Sequence, residues 1–329
     1  MEAREWAYRV LVAVAIAAVI VALAAAIPLA TPDSQPTGEP LALPEYDPAT
    51  TGVTPVPAEG DVEPTIDGGG EVVVIDDDHA NRFEQADVQP LVAAITRAGA
   101  RVRFHESGDL NDTLEGADAF VVIDPGNEYD PDEVRAVEAF TNGGGRVVLM
   151  GEPDRKAVSG GLFTASVITR ESHLTTLGSA FNMSFGTGYL YNVESNDGNY
   201  QHVAVQPTGD LPVDRAAMYT ATSIDAPGGN VLVRTAPGTT EYGTDRTGRF
   251  PVVVQSGSEA NVLGVGDASF VADDRFLVGD NEVLVRYVVD FLLDNSRTPG
   301  GADAEPDEPA EPDDATDNES EGGTPEAPA

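Results

Sequence analysis

Residues 72–75 are a short apolar, β-branched run, and 101–105, 119–123 and 146–150 are further strand-like stretches, separated by segments with helical spacing. This alternation constrains the fold more than any other feature of the chain. The run 72–75 suits a strand covered on both faces. Between the strand-like stretches, Val88, Leu91, Val92 and Ile95 recur at the spacing of one helix face, and Gly99 can close that helix in a left-handed conformation. Asp130-Pro131-Asp132-Glu133 opens a second helix, with Asp130 as cap, Pro131 at the first position and Glu133 where a capping box needs it. Val134, Val137 and Phe140 make its inner face, and Gly143 to Gly145 end it. Strands separated by helices of this length predict an α/β domain: a parallel sheet with right-handed crossovers in a Rossmann-like, three-layer arrangement.

The pattern returns late in the chain. Residues 251–255 and 261–265 are strand-like, and Asp280 or Asn281 caps a last helix that buries Val283, Leu284, Tyr287, Val288, Phe291 and Leu292. Between residues 155 and 249 the alternation lapses. A helix is expected near 173–181, with strand-like pieces at 203–205 and 231–234 among Gly, Asn and Thr. This span is predicted as a β-rich insertion between strands of one sheet.

The flanks set the domain limits and the expected location. Residues 10–27 carry no charge, and as a helix would cross about 27 Å, enough for one transmembrane span. Trp6 and Tyr8 stand at its entrance, Arg4 and Arg9 precede it, and no further Lys or Arg occurs until Arg82. That asymmetry puts residues 1–9 in the cytoplasm and the body outside the cell. Ala24 to Ala26 offer the rival possibility of a cleaved signal peptide. Residues 28–70 are rich in Pro, Gly, Thr and acid, as expected of a disordered stalk, and residues 298–329 form an acidic tail with the same expectation. The folded domain is thus predicted at 71–297.

The chain of 329 residues has 56 acidic and 18 basic residues and a formal net charge of −38, and Lys156 is its only lysine. Self-repulsion of this size suits concentrated salt, where it is screened. Without a basic patch, nucleic acid is not an expected partner. There is no cysteine, which excludes disulfides, thiolate ligands and a cysteine nucleophile.

The stretch EVVVIDDDHANR places three carboxylates and a histidine directly after the first strand. In an open parallel sheet, ligands bind beyond the carboxyl ends of the strands. Asp76, Asp77, Asp78 and His79 follow the first strand, Asp124 the third, Glu152 the fourth, and Asp267 the strand ending near Val265. The candidate ligand-binding residues are therefore Asp76, Asp78, His79, Arg82, Asp124, Glu152 and Asp267. Arg82 is expected to hold two of the clustered aspartates with its guanidinium. His105, alternating with Val102 and Phe104, is expected to be structural. The four histidines show no H-x-x-x-H spacing for a metal, no G-x-S-x-G occurs, and no cofactor is expected.

VVVIDDD and VVIDPG resemble the acids of response-regulator receivers, but the required lysine after a fifth strand is missing. A second resemblance covers far more of the chain. LEGADAFVVIDPGNEYDPDEVRAVEAFTNGGGRVVLMGEPD is similar to a region of class I glutamine-amidotransferase-like domains. Together with GYLYNVESNDGNYQHVAV and GDASFVADDRFLVGDNEVLVRYVVDFLL, the span 71–294 resembles an uncharacterised haloarchaeal family of membrane-anchored, amidotransferase-like proteins, a domain of unknown function. The resemblance implies an amidotransferase-like fold without the catalytic cysteine. Its implied partners are membrane or envelope proteins, von Willebrand-like or MoxR-associated. Two functions follow as expectations. The first is a surface-exposed, non-catalytic binding or assembly domain. The second is a metal-assisted hydrolase using Asp76, Asp78, His79 and Asp124, since hard cations accept several oxygen ligands.

Overall fold

A computed structural model describes residues 60–160, 166–209, 211–257 and 259–294. The first four strand-like stretches are strands β1 (Val72–Asp76), β2 (Arg101–His105), β3 (Ala119–Ile123) and β4 (Arg146–Met150). Helix α1 (Gln89–Arg97) follows β1, α2 (Leu110–Glu115) follows β2, and α3 (Pro131–Asn142) follows β3. The capping box of α3 is present as the sequence predicts: Asp130 takes the backbone of the third residue, and Glu133 takes the Asp130 N–H. Gly99 has the left-handed φ of 90° that lets α1 turn back into β2. Helix α2 escapes the sequence reading because it is a single short segment with only Leu110 and Leu114 buried.

Beyond β4 come the hairpin of β5 (Arg155–Ser159) and β6 (Ser166–Arg170), helix α4 (Thr175–Ala180) and strand β7 (Ser184–Tyr191). Strands β8 (His202–Pro207), β9 (Ala216–Tyr219), β10 (Thr222–Asp225), β11 (Asn230–Thr235), β12 (Thr239–Glu241) and β13 (Thr247–Gly248) follow. Strands β14 (Pro251–Ser256) and β15 (Val262–Val265) then lead to helix α5 (Asn281–Leu293).

The main sheet has nine strands in the order β2-β1-β3-β4-β15-β14-β11-β8-β9. The first five are parallel, and each of the remaining four runs antiparallel to its neighbour. The purely parallel sheet expected from the sequence is therefore corrected to a mixed one. The insertion is not an excursion from the sheet either, because β8, β9 and β11 extend it. Outside it, β7, β10, β12 and β13 form a four-stranded sheet and β5 and β6 a two-stranded one. Antiparallel strands need no helical crossover, so the sequence alternation that signals a parallel sheet is absent from this half.

Two apolar layers sandwich the parallel half. Val73, Ile75, Val121, Ile123, Val148 and Met150 face one side with Leu91 and Ile95 of α1 and Leu284, Val288 and Leu292 of α5. Val74, Phe120, Val122, Val147 and Leu149 face the other with Leu114, Val137, Phe140 and Leu177. This alternation is the three-layer arrangement expected. Each fully buried Leu or Ile contributes on the order of 1.5–3 kcal/mol.

The domain starts earlier than residue 71. Val62 is buried, Arg97 donates to its carbonyl and pairs with Asp61 at 2.6 Å, and Thr65 donates to Asp290. Residues 60–70 thus strap α1 to α5 rather than belonging to the stalk. The local Pro and Gly content hides Val62 and Ile66, the two apolar residues that dock. The expected transmembrane segment 10–27, the rest of the stalk and the tail 298–329 lie outside the described residues. Among the described residues no helix is long and apolar enough to cross a membrane.

Candidate functional site at the carboxyl ends of the parallel strands

Parallel pairing brings the carboxyl ends of β1, β3, β4 and β15 to one rim, and the acids that follow them divide into two separate clusters. Next to β1, Asp76 is fully buried. His79 places Nδ1 3.0 Å from both Asp76 oxygens and Nε2 3.2 Å from Glu133 Oε2, while the Tyr129 hydroxyl donates to Asp76 Oδ2 at 2.6 Å. Both imidazole nitrogens face carboxylates, which favours the doubly protonated ring. Burial opposes that charge, but Asp76 and Glu133 prevail and raise the His79 pKa. Burial and the neighbouring Asp76 push the Tyr129 hydroxyl well above its usual range.

The other two aspartates of the run do not join this cluster. Asp77 is half-buried, its backbone N–H donating to His105 O, and Asp78 is exposed with Oδ2 3.8 Å from His105 Nε2. His105 is buried as expected of a structural residue, with Nδ1 3.1 Å from the Thr113 hydroxyl. Arg82 does not clamp the triple aspartate. Its Nη1 donates to Asp124 Oδ1 at 3.2 Å and its Nη2 to the Glu171 carbonyl. The expectation for Arg82 is thereby corrected: the turn after residue 80 carries the guanidinium away from β1 and toward β3.

Asp124 and Glu152 of the second cluster line a pocket of about 290 Å³ over β3, β4 and the turn after β15, whereas Asp267 is fully buried and does not line it. Asp124 leaves β3 with φ +37°, a left-handed conformation uncommon outside glycine. Its backbone is held on both sides: its N–H donates to Met150 O and its carbonyl accepts from Arg82 N. Burial raises the Asp124 pKa, and the Arg82 charge only partly offsets this. Glu152 follows β4; its Oε1 accepts from Ala268 N at 3.0 Å and Ser269 N at 3.2 Å, and its Oε2 accepts from Arg155. Burial, joined by the Asp267 carboxylate, pushes Glu152 up to about 8 despite Arg155. Asp267 is fully buried and takes Tyr219 N at 2.7 Å on one oxygen and the Ser269 N–H and hydroxyl on the other. Burial raises its pKa too. Arg275 donates to the Ser269 hydroxyl at 2.8 Å and lies 3.9 Å over the Tyr219 ring.

Of the residues named from sequence, the structure thus joins Asp124, Glu152, Asp267 and Arg82, pairs Asp76 with His79 elsewhere, and leaves Asp78 exposed. The four ligands proposed for a metal are spread over these separate environments. Among the described residues, no group of three or more His, Asp or Glu is disposed to hold a metal ion. Sequence reasoning passed over Arg155, Ser269, Arg275, Tyr129 and Glu133. Arg155 lies three residues after Glu152, a spacing that could have flagged it; the others reach the rim from remote segments.

A mixed α/β fold with a charged pocket at the carboxyl ends of its parallel strands defines the class of this domain. The mmIFT52 N-terminal domain shares the fold, at 10% identity and a TM-score of 0.55, over 69% of this chain and 99% of that one. A ThuA-like protein from Bacteroides uniformis ATCC 8492 aligns over 74% of this chain and 98% of its own, at 14% identity and a TM-score of 0.41. No family model matches the chain. No curated protein matches it.

Proposed function

We propose that this chain is a non-catalytic binding and assembly domain of amidotransferase-like architecture, held outside the cell by a transmembrane helix at residues 10–27. The observation that carries this reading is the state of the acids at the pocket. Asp124 and Glu152, which line it, are each engaged by a guanidinium or by main-chain donors, and the fully buried Asp267 next to them takes main-chain donors as well. A carboxyl group held in this way is a rigid recognition element rather than a free base or nucleophile. The exposed half of Arg155 and the Arg275 guanidinium add donors beside these acceptors. Such a wall fits a small polar ligand, or a polar side chain of a partner, that offers hydroxyl or carboxylate groups.

Partners in the membrane or envelope, von Willebrand-like or MoxR-associated, accord with the family resemblance and with an exterior domain. A cytoplasmic ATPase would reach such a domain only through the anchor or another membrane protein. Purification of the full chain from gently solubilised membranes tests the proposal, with Arg275→Ala as the comparison. A partner retained by the wild type and lost from the folded variant supports it. A solitary chain in both preparations overturns assembly through this pocket. Stoichiometric Mg²⁺ binding by calorimetry in high salt, abolished in Asp76→Ala, would favour the metal-assisted hydrolase instead.

A further inference from the structure

A second cavity of about 640 Å³ opens beside the first, between the turn after β4, strand β7 and the turns after β9 and β12. Tyr189 and Tyr242 stack at its wall with centroids 4.7 Å apart and planes 11° from parallel, and Tyr219 adds a third ring. Tyr242 is 58% exposed, so the aromatic surface is open to a ligand. The opposite edge is held rigidly. Thr220, between β9 and β10, has φ +50°, a left-handed conformation rare for a β-branched residue. Its N–H donates to Gln201 O at 2.9 Å, and its hydroxyl accepts from Arg155 Nη2 at 3.3 Å. Backbone strain of this kind gathers where a ligand is clamped.

The charged groups of the cleft are matched within the protein. Arg155 donates to Glu152, and its charge also acts on Asp124. Lys156 acts on the neighbouring Asp154 and donates from Nζ to the Thr169 hydroxyl at 2.5 Å. An ionic ligand would have to compete with these pairs, and an anion would also meet the field of a chain with net charge −38. The groups left to recognise a ligand are neutral. They are the phenol rings, together with the hydroxyls and amide of Thr187, Thr220 and Gln201, which both donate and accept.

We propose that this cleft binds a neutral oligosaccharide, with one sugar ring stacked on Tyr242 and its hydroxyls bonded to Thr187, Gln201 and Thr220. A pyranose turns C–H groups to its faces and hydroxyls to its rim, and the C–H face meets the electron-rich face of a phenol ring. A cavity of this volume takes a ligand of that size. The aromatic surface also continues past the cavity. Tyr191 lies 6.1 Å from Tyr189, and Tyr200, 49% exposed, lies 6.2 Å from Tyr191. Rings running in sequence from Tyr242 to Tyr200 suit a chain of sugars rather than a single one.

The test applies the full chain, in a detergent without a sugar headgroup and in concentrated salt, to an array of covalently attached oligosaccharides. The array carries neutral hexose and N-acetylhexosamine chains, with uronic-acid and sulfated chains as charged comparisons. Wild type should be retained by neutral chains. Tyr242→Ala removes an exposed ring and should lower retention about tenfold, whereas Tyr242→Phe keeps the ring and should stay within about twofold of wild type. Equal melting temperatures establish that both variants fold. The outcome is independent of whether a partner is retained through the pocket at β3. A wild type retained by no neutral chain overturns the proposal, as does equal retention of Tyr242→Ala. Retention by charged chains alone, lost as salt is added, overturns it too, by assigning the cleft to an ionic ligand.

Discussion

The imidazole of His79 lies flat on the phenol ring of Tyr129, centroids 3.7 Å apart and planes 12° from parallel, and both residues hydrogen-bond the buried carboxylate of Asp76. The first aspartate of the acidic run is thereby an internal anchor that ties the end of β1 to the start of α3.

Stability should depend on pH through His79. Its pKa lies above the ordinary 6.5 because Asp76 and Glu133 outweigh burial. The folded state therefore binds this proton more tightly than the unfolded chain. The contribution is complete below pH 6.5 and is lost as the pH rises through the folded value. The difference in melting temperature between wild type and His79→Gln should be greatest near about pH 6 and shrink toward about pH 9. A difference that stays constant over that range would count against the network.

Glu152 should act over a higher and wider window. Its pKa moves from 4.5 up to about 8, so between those values the folded state holds a proton that the unfolded chain releases. Stability contributed by that proton falls as the pH rises from 4.5 through about 8. Glu152→Gln keeps the acceptor for Ala268 and Ser269 but cannot ionise. Urea denaturation of this variant should show a flatter decline from about pH 6 to 9 than the wild type. Parallel slopes would refute the assignment.

Arg82 and Asp124 should be energetically coupled. Arg82→Ala leaves a buried carboxylate without its cation, at a cost of about 1–3 kcal/mol. Asp124→Asn removes the charge, and asparagine tolerates the left-handed φ. In the double variant the loss should be smaller than the sum of the single losses by about 1 kcal/mol. Strict additivity in denaturant unfolding would show that the pair is a surface contact without weight.

Gly266 should not accept a side chain. It follows β15, donates to Val252 O at 2.8 Å and accepts from Thr222 N at 2.6 Å. A Cβ there would overlap the Thr222 carbonyl oxygen, which is backbone and cannot rotate away. Gly266→Ala should cost more than about 3 kcal/mol and displace Asp267 from Tyr219. Circular dichroism during heating would reveal the loss, and a melting temperature within about 2 °C of wild type would rule it out.

The inner parallel strands β1, β3, β4 and β15 were legible because they are buried on both faces and so are largely apolar, whereas the edge strand β2, RVRFH, shows itself only by alternation. The start of α3 was legible because its cap is written in four adjacent residues. The antiparallel strands were not. β11, for example, is NVLVRT with alternate positions only partly covered, and its partners in the sheet come from distant segments. The strand-end rule found Asp124, Glu152 and Asp267 on sequence grounds. It could not separate Asp76 from Asp78, because which carboxylate turns inward depends on Tyr129, more than fifty residues away. Arg275 was hidden for the same reason. It reaches the pocket through a short 3₁₀ turn at Ser269–Val271, a feature without periodicity.

Strand β15 occupies the fifth place of nine in the main sheet, yet it is the last strand among the described residues. Until residues 262–265 are available, β4 and β14 each present an unpaired edge, and neither half can zip onto the other. A chain delivered amino end first, whether from the ribosome or through a membrane, therefore holds an open seam along its middle until nearly all of the domain has emerged. Closing that seam joins contacts more than a hundred residues apart, which makes folding slow and leaves the growing chain exposed to edge-to-edge association. The heavy acidic charge opposes such association wherever the salt is too dilute to screen it.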